Sequence, residues 1–396
     1  MTDFVAVDRL LVSTPQGAAG DLTESDQQYL FTYTGKEQPS TAISLTMPWR
    51  AEQYTDRHLH PIFQMNLPEG YVLEQIRNRL AKSTRLDPMM LLALTGAEAP
   101  VGRLKFASPE INVANRDKGE RLEEILAWDG AQSLFAELAN RYLFRTGISG
   151  VQPKVVVPED VADAGKGAVT TTDLIVKSGG GDYPGLAVNE FLCMSAVRYA
   201  GLPTPEFFLS RNRELFVMRR FDRSPDGVAL GFEDMAVLMA KGAEDKYVGS
   251  YENVVRVAEL YVSPRYVMDA RSQLFDQIAL SCILGNGDAH LKNFGLLYTD
   301  PTVDDVRLAP VYDVVNTTAY IPEDHLALKL GGNKSFFAAR VNLIDFAKSC
   351  AIDDPKARID WLIHAVEQTL VEQAHLLDAV PAVVAAIRAN IGMFTR

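Results

Sequence analysis

Cysteine is scarce in this chain: three in 396 residues, at Cys193, Cys282 and Cys350, widely spaced and each inside an apolar run. That excludes a disulfide framework, offers no metal-ligand spacing, and points to buried thiols in a reducing compartment. No uninterrupted apolar run reaches the roughly 20 residues that a membrane-spanning helix needs, and the N-terminus has no basic region followed by an apolar one. A cytoplasmic location without membrane contact is therefore expected. Internal repeats are absent. Cations are outnumbered, with 39 Lys and Arg against 51 Asp and Glu, a formal charge of −12. The imbalance argues against nucleic-acid binding by the chain alone and leaves room for a local basic patch or a basic partner. Length allows two or three domains and a sizeable core.

What the chain does have is concentrated at residues 285–293, reading Gly-Asn-Gly-Asp-Ala-His-Leu-Lys-Asn, ahead of an apolar run at 294–298. Asp288 precedes Asn293 by five positions, and a second acid, Asp313, follows Asn293 by twenty. Between them two extended runs, 294–298 and 306–310, are joined by an Asp300-Pro301 turn, which is a hairpin pattern. A hairpin returns the chain to the edge it left, so Asn293 and Asp313 are expected side by side, with Asp288 in the loop just before them. Two hard oxygen ligands for a metal, with a third carboxylate free to accept a proton, is the set that Mg2+-dependent phosphoryl transfer requires. Asp288 by itself, in a Gly-Asn-Gly-Asp turn, would be no more than a turn or cap residue; its companions at this spacing turn the reading toward catalysis. His290 reads first as a brace of the loop, with a place as a ligand as the alternative. Lys292 reads equally as a phosphate or substrate contact and as a solvated charge.

Residues 1–108 read as a small mixed unit. Stretches 4–12, 28–33 and 43–47 alternate as strands do, 71–82 has helical spacing, Asp87-Pro88 opens a second helix that stops near Gly96, and a strand at 101–106 closes the unit. A solvated connector at 112–120 leads to one or two helices over 122–142. At 147–154 the run Gly-Ile-Ser-Gly-Val-Gln-Pro-Lys enters the β-branched Val155, Val156 and Val157, and a strand at 172–177 returns to the same edge. The loop and Lys177 should then converge, bringing backbone N–H groups and a point charge together as phosphate demands. Gly179, Gly180 and Gly181 read as a flexible linker. Glu190, in the first turn of a helix over 187–200, is placed to pair with Lys177. A strand over 215–218 runs into Arg219, Arg220 and Phe221, where alternation sends one arginine toward solvent. Beyond residue 227 the pattern is mostly helical: 271–284 delivers the 285–293 loop, and 358–369, 371–377 and 380–391 close the chain. Three parts are expected: an N-terminal subdomain at 1–108, a nucleotide-binding part at 109–218, and a helical catalytic part at 219–396. A phosphate loop and a lysine, then an Asp, an Asn and a second Asp, is the order of parts in a protein kinase. The fold class expected is α+β, a two-lobed protein-kinase-like fold with a mixed α/β N-terminal lobe, an extra N-terminal subdomain, and a mainly helical C-terminal lobe.

Several short runs add to this: 60–70 with 96–102, Ser149-Gly-Val-Gln-Pro-Lys154, Asn189-Glu190-Phe191 with Ala200-Gly201-Leu202, Arg220-Phe221-Asp222-Arg223, Glu233-Asp234-Met235, Asp288-Ala-His-Leu-Lys-Asn293, and Tyr312-Asp313. In this order and at these separations the sequence resembles the HipA family of bacterial toxin-antitoxin Ser/Thr kinases over most of its length. The resemblance implies that Asp288 is the catalytic aspartate, that Asn293 and Asp313 hold Mg2+, and that Lys177 holds the ATP phosphates. It also implies that Ser149, Gly150, Val151, Gln152 and Lys154 belong to the loop over the nucleotide, and that Arg219, Arg220 and Phe221 form the hinge beside adenine. His290 and Lys292 fall within the same nucleotide-site motif. Many members of that family have a serine two positions before the Ser149 equivalent, where this chain has Gly147, so Ser149 is the expected acceptor if the loop is autophosphorylated. The partners implied are a HipB-like helix-turn-helix antitoxin, through which DNA is met indirectly, and a protein substrate such as an aminoacyl-tRNA synthetase, whose phosphorylation would arrest growth. A small-molecule phosphotransferase and a weakly active kinase-like corepressor stand as the other two readings.

Overall fold

The computed structural model describes residues 6–80, 86–111, 119–129, 133–145, 147, 152–160, 173–179 and 183–395. Near the N-terminus, alternating side chains fold as an antiparallel meander of β1 (Arg9–Thr14), β2 (Gly17–Ser25), β3 (Gln28–Tyr33) and β4 (Tyr54–Asp56). Three helices follow: α1 (Pro61–Gln64), α2 (Gly70–Leu80) and α3 (Pro88–Thr95). Strand β5 (Lys105–Ala107) then pairs with β1, giving the order β4-β3-β2-β1-β5. Leu10, Val12, Leu22 and Phe31 project from one face of this sheet into a cluster with Ile62, Phe63, Met90, Leu92 and Phe106. Helix α3 starts where the Asp87 carboxylate accepts the Met90 N–H at 2.9 Å and stops at Gly96.

Three strands expected here differ from the structure: that over 4–12 runs from Arg9 to Thr14 instead, its residues 4 and 5 lying outside those described. Residues 43–47 form a tight turn with a single bridge, Ser44 to Met47. The Tyr33 hydroxyl takes up their backbone groups instead, accepting from the Ile43 N–H at 2.9 Å and donating to the Met47 carbonyl at 2.5 Å. The strand expected over 101–106 shrinks to Lys105–Ala107 because Gly102 turns the chain with φ 73, a left-handed conformation open to glycine. That turn aims the Gly102 N–H at Asp222 Oδ2, 2.7 Å away.

The second sheet follows α4 (Leu122–Ala127) and α5 (Leu134–Arg141), which resolve the helical stretch 122–142 into two. Its strands are β6 (Lys154–Pro158), β7 (Asp173–Ser178), β8 (Phe207–Leu209) and β9 (Leu215–Arg219), in the order β6-β7-β9-β8, with α6 (Leu186–Tyr199) between β7 and β8 in sequence. Val155, Val157, Leu174, Val176 and Val217 pack against α4 and α5 on one face. Ile175, Phe216 and Met218 pack against α6 on the other. Burial on both faces is what the unbroken β-branched run at 155–157 encodes.

The third sheet joins β10 (Gly231–Asp234) to the hairpin of β11 (Gly295–Tyr298) and β12 (Arg307–Leu308). Leu296 faces Leu308 and Leu297 faces Arg307 across the hairpin, the pairing expected from the two runs and their Asp-Pro turn. Side chains alternate along β11, so Leu296 and Tyr298 enter the helical core while Leu297 enters the N-terminal one. Around this hairpin lie α7 (Met235–Leu238), α8 (Tyr251–Tyr261), α9 (Val267–Leu284), α10 (Phe336–Ser349), α11 (Pro355–Glu372) and α12 (Pro381–Phe394). The closing helices expected at 358–369 and 371–377 differ in extent, since α11 runs on to Glu372 and a 3-10 turn covers Ala374–Ala379. Helix α9 is buried without a break from Leu274 to Leu284, so other elements enclose it on every side. Among the described residues no helix is long and apolar enough to cross a membrane.

A buried ionic lock ties the N-terminal unit to the segment after β9. Arg220 donates to Asp222 through Nε at 2.9 Å and Nη2 at 2.6 Å, and to the carbonyls of Ala99 at 2.9 Å and Pro100 at 2.6 Å. Burial alone would raise the Asp222 carboxyl, but Arg220 and Arg223 pull it down to about 2 from 3.8. A depressed folded value means that the lock stabilises fully above about pH 4 and is lost as pH falls toward 2. At about 1.4 kcal/mol per pH unit, roughly 2 kcal/mol is at stake. Urea unfolding between pH 5 and 2 is therefore expected to show a steeper acid loss for the wild type than for Asp222→Asn. Equal slopes would remove Asp222 as a source of acid sensitivity.

Candidate active site

The enclosed helix α9 ends at Gly285, φ 74, whose Cβ would lie 2.0 Å from Asn390 Nδ2, so this position is held to glycine by both conformation and space. From there residues 286–293 are fixed by short local bonds. Asn286 Oδ1 accepts the Asp288 N–H at 3.0 Å, Thr317 Oγ1 accepts the Gly287 N–H at 2.7 Å, and Tyr251 donates its hydroxyl to the Ala289 carbonyl at 3.1 Å. His290 donates its N–H to Asn293 Oδ1 at 3.0 Å. Brace and loop are thus the same backbone; the imidazole Nδ1 of His290 is buried without a partner among the described residues.

The hairpin brings Asn293 beside Asp313, Nδ2 donating to Oδ2 at 3.2 Å. Asp313 has φ 60, a left-handed conformation that costs a non-glycine residue about 1 kcal/mol or more and is held only where the surroundings over-determine it. Here they do: Lys177 Nζ donates to Asp313 Oδ1 at 2.6 Å and to Glu190 Oε1 at 2.5 Å. Lys177 is 3% and Glu190 0% exposed, so this pair is nearly dry, while Asp313 keeps part of its side chain open to the cleft. The register of β6 and β7 sets Lys154 directly opposite Lys177, and both line the cleft. Burial would lift the Asp313 carboxyl, but Lys177 and Lys154 hold it far below the usual carboxylate range. Burial lowers Lys154, whereas for Lys177 the same cost is overcome by Asp313 and Glu190, and its pKa rises. Glu190 is raised by its enclosure.

Asp288 stands apart from this triad, its side chain half exposed to the cleft. Desolvation by the walls of the cleft, then the charge of Asp313, raise its carboxyl, while a hydrogen bond donated by the Tyr247 hydroxyl at 2.6 Å opposes them. Burial, with Lys246 and Lys292 nearby, drops His290 to about 3, so its imidazole is neutral at any ordinary pH. Together these groups line a cavity of about 800 Å³ whose other end is apolar, formed in part by Ile175, Met218, Phe221 and Phe232. Phe221 packs against Tyr312 at 5.1 Å and edge-on to Phe232 at 5.5 Å.

Of the residues singled out in the sequence, Asp288, Asn293, Asp313, Lys154, Lys177, Gln152, Arg220, Phe221, His290 and Lys292 meet in this cavity. Ser149, Gly150 and Val151 lie outside the described residues. Arg219 does not reach the cleft. Its guanidinium turns to the opposite side, where Glu159 accepts at 2.6 and 3.0 Å and Glu206 also accepts, because Arg219 and Arg220 alternate across the end of β9. Arg220 faces inward but serves the Asp222 lock, with its Nη groups on Asp222, Ala99 and Pro100. Lys292 is neither solvated nor free: it pairs with Glu69 at 2.8 Å, across from the start of α2. Glu69 and Tyr247 were not foreseen. Glu69 sits in the 60–70 run, whose helix-start position was the available signal; Tyr247 lies in a polar connector with none.

Comparison with known proteins matches two stretches of the chain. The HipA N-terminal domain model matches residues 10–107 and the HipA-like C-terminal domain model residues 146–374. A protein of Sinorhizobium fredii (strain NBRC 101917 / NGR234) named "Putative kinase Y4dM" is 27% identical over 357 residues, covering 84% of this chain and 82% of its own. One of Haemophilus influenzae (strain ATCC 51907 / DSM 11121 / KW20 / Rd), named "Putative kinase", is 29% identical over 189 residues, covering 44% of this chain and 53% of its own. Among solved structures, the Shewanella oneidensis MR-1 toxin-antitoxin system HipA, HipB and operator DNA complex contains a chain with the same fold. Its TM-score is 0.70 at 18% identity, over 98% of this chain and 97% of that one. The C-terminal model alone covers more than half of the residues described above, from the segment ahead of β6 through α11, and the chain belongs to the HipA family.

Proposed function

We propose that this protein is an ATP- and Mg2+-dependent protein Ser/Thr kinase that acts as the toxin of a toxin-antitoxin pair. The observation that carries the reading is the Lys177 bridge to Glu190 and Asp313, with Asn293 on Asp313, in one cleft with Asp288. The residues fit the groups implied. A cavity of about 800 Å³ with an apolar end and two buried lysines suits a nucleotide with its phosphates, and Gln152 Nε2, on the cleft wall, is a buried donor without a partner among the described residues. Asp313 and Asn293 give two oxygen ligands, the donor set of a cation that completes its shell with phosphate and water. When bound, ATP with Mg2+ supplies an activated phosphoryl group and neutralises charge that develops on it.

The chain's own residues then do the positioning. Lys177 and Lys154 hold negative phosphate oxygens at the edge of β6 and β7. Asp288 accepts the proton of a serine or threonine hydroxyl at a carboxylate oxygen, a task suited to a carboxyl whose affinity for protons is raised. Family membership supports a helix-turn-helix antitoxin as partner, as HipB accompanies HipA on operator DNA in the Shewanella complex. With its charge of −12 the kinase would leave the basic, DNA-facing surface to that partner. A translation component such as an aminoacyl-tRNA synthetase is the substrate we assign on the same ground. The test is transfer of γ-labelled phosphate from ATP in a cell extract without antitoxin. A labelled protein band is expected; label confined to small molecules, or none with nucleotide bound, would overturn the reading.

A further inference from the structure

One oxygen of the half-exposed Asp288 carboxylate is already occupied. Tyr247 Oη donates to Asp288 Oδ1 at 2.6 Å, the contact an acceptor hydroxyl makes with a general base. The phenol is 40% exposed and reaches the cleft from the connector between α7 and α8. Its ring stands edge-on to His290 at 5.2 Å, and the Lys246 ammonium lies 5.1 Å over its face. The backbone beneath it is pinned on both sides. Lys246 O accepts from the Leu291 N–H at 3.1 Å, Tyr247 O from Lys334 Nζ at 3.3 Å, and Gly249 O from the Lys329 N–H at 3.1 Å. Drift of the connector is thereby restrained, whereas the exposed side chain can turn outward about its own torsions.

A kinase cleft with nucleotide but no substrate faces a competing acceptor, water. A water hydrogen-bonded to Asp288 would be activated by the same carboxylate that activates a serine hydroxyl. We propose that the Tyr247 hydroxyl stands in for the acceptor, keeping water off Asp288 Oδ1 until a protein serine or threonine displaces it. The inference rests on the kinase reading, in which Asp288 is the base. Exchange is nearly neutral, because one hydroxyl hydrogen bond replaces another and the phenol passes from half-exposed to solvated. Tyr247 is in this sense a positioning residue, which sets what Asp288 meets.

The test separates hydrolysis from transfer. ADP release from Mg-ATP is measured on the full chain without any protein acceptor, and labelled transfer is measured in extract, for wild type, Tyr247→Phe and Tyr247→Leu. Tyr247→Phe keeps the ring against His290 and removes only the hydroxyl, leaving space for a water. The ratio of hydrolysis to transfer is expected to rise at least about threefold in both variants, with melting temperatures close to that of the wild type. A purely structural role would lower both rates and leave their ratio unchanged, and that result overturns the inference. So does phosphate found on Tyr247 itself in a peptide map of the wild type, which would make it an acceptor. Absence of any transfer by the wild type is read first: it counts against the kinase reading, and the inference falls with it.

Discussion

Asp288→Asn is expected to lower phosphoryl transfer by about 10²–10⁴-fold, the contribution of a positioned general base, with the fold untouched. The carboxylate is half exposed, and the recorded bond to it, from Tyr247, can be accepted equally by an asparagine oxygen. Neutralising it also removes a negative charge that Asp313 opposes. A change in stability within about 0.5 kcal/mol follows, as for other substitutions away from buried networks. Initial rates of labelled transfer, a urea titration and nucleotide binding on the same preparation check all three parts. Residual transfer within tenfold of the wild type would remove Asp288 from the chemistry.

Lys177→Met is expected to behave in the opposite way, costing stability as well as transfer. The ammonium is the shared counter-ion of Glu190 and Asp313, and it and Glu190 sit where little water reaches. Removing it leaves the buried Glu190 carboxylate uncompensated and Asp313 with Lys154 as its remaining cation, a loss of about 3–5 kcal/mol by comparison with other broken buried pairs. Glu190→Gln in the Lys177→Met background should restore part of that stability, since Glu190 would no longer be charged, yet restore no transfer. Urea unfolding of the single and double variants measures this. A loss below about 1 kcal/mol in the single variant would show that the bridge is not a structural element.

Local rules made some of this legible in the sequence and failed on the rest for identifiable reasons. The hairpin beside the site was readable because its two apolar runs are bounded by Asp300-Pro301 and return the chain to one edge. The Lys177 to Glu190 contact was readable because a strand end and the start of the next helix are neighbours in sequence, although α6 opens at Leu186 and so places Glu190 just beyond the first turn expected for it. Strand β2, in contrast, reads Gly-Ala-Ala-Gly-Asp-Leu-Thr-Glu-Ser, with small and polar residues that give no strand signal. It is a strand because β1 and β3 supply partners on both sides. Residues 43–47 alternate as a strand does but are captured by the Tyr33 hydroxyl and by Glu233, which accepts from Ser44 Oγ at 2.7 Å and from the Leu45 N–H at 2.8 Å. Those bonds span up to 189 positions, a separation no window of local pattern can see. Tyr247 over Asp288 and Glu69 on Lys292 were hidden for the same reason, 41 and 223 positions from their partners.

The last of these contacts has a consequence for inheritance. Glu69 comes from the part of the chain matched by the N-terminal family model, and Lys292 from the part matched by the C-terminal one. Only 9% of the Lys292 side chain is exposed, and the acid it pairs with is supplied by the other part. A chimera that exchanged residues 10–107 for the matching segment of another protein would work only if the donor brought a carboxylate to the same place. The two parts are therefore not freely interchangeable modules: exchanging one alone puts at risk a charge pair inside the cleft.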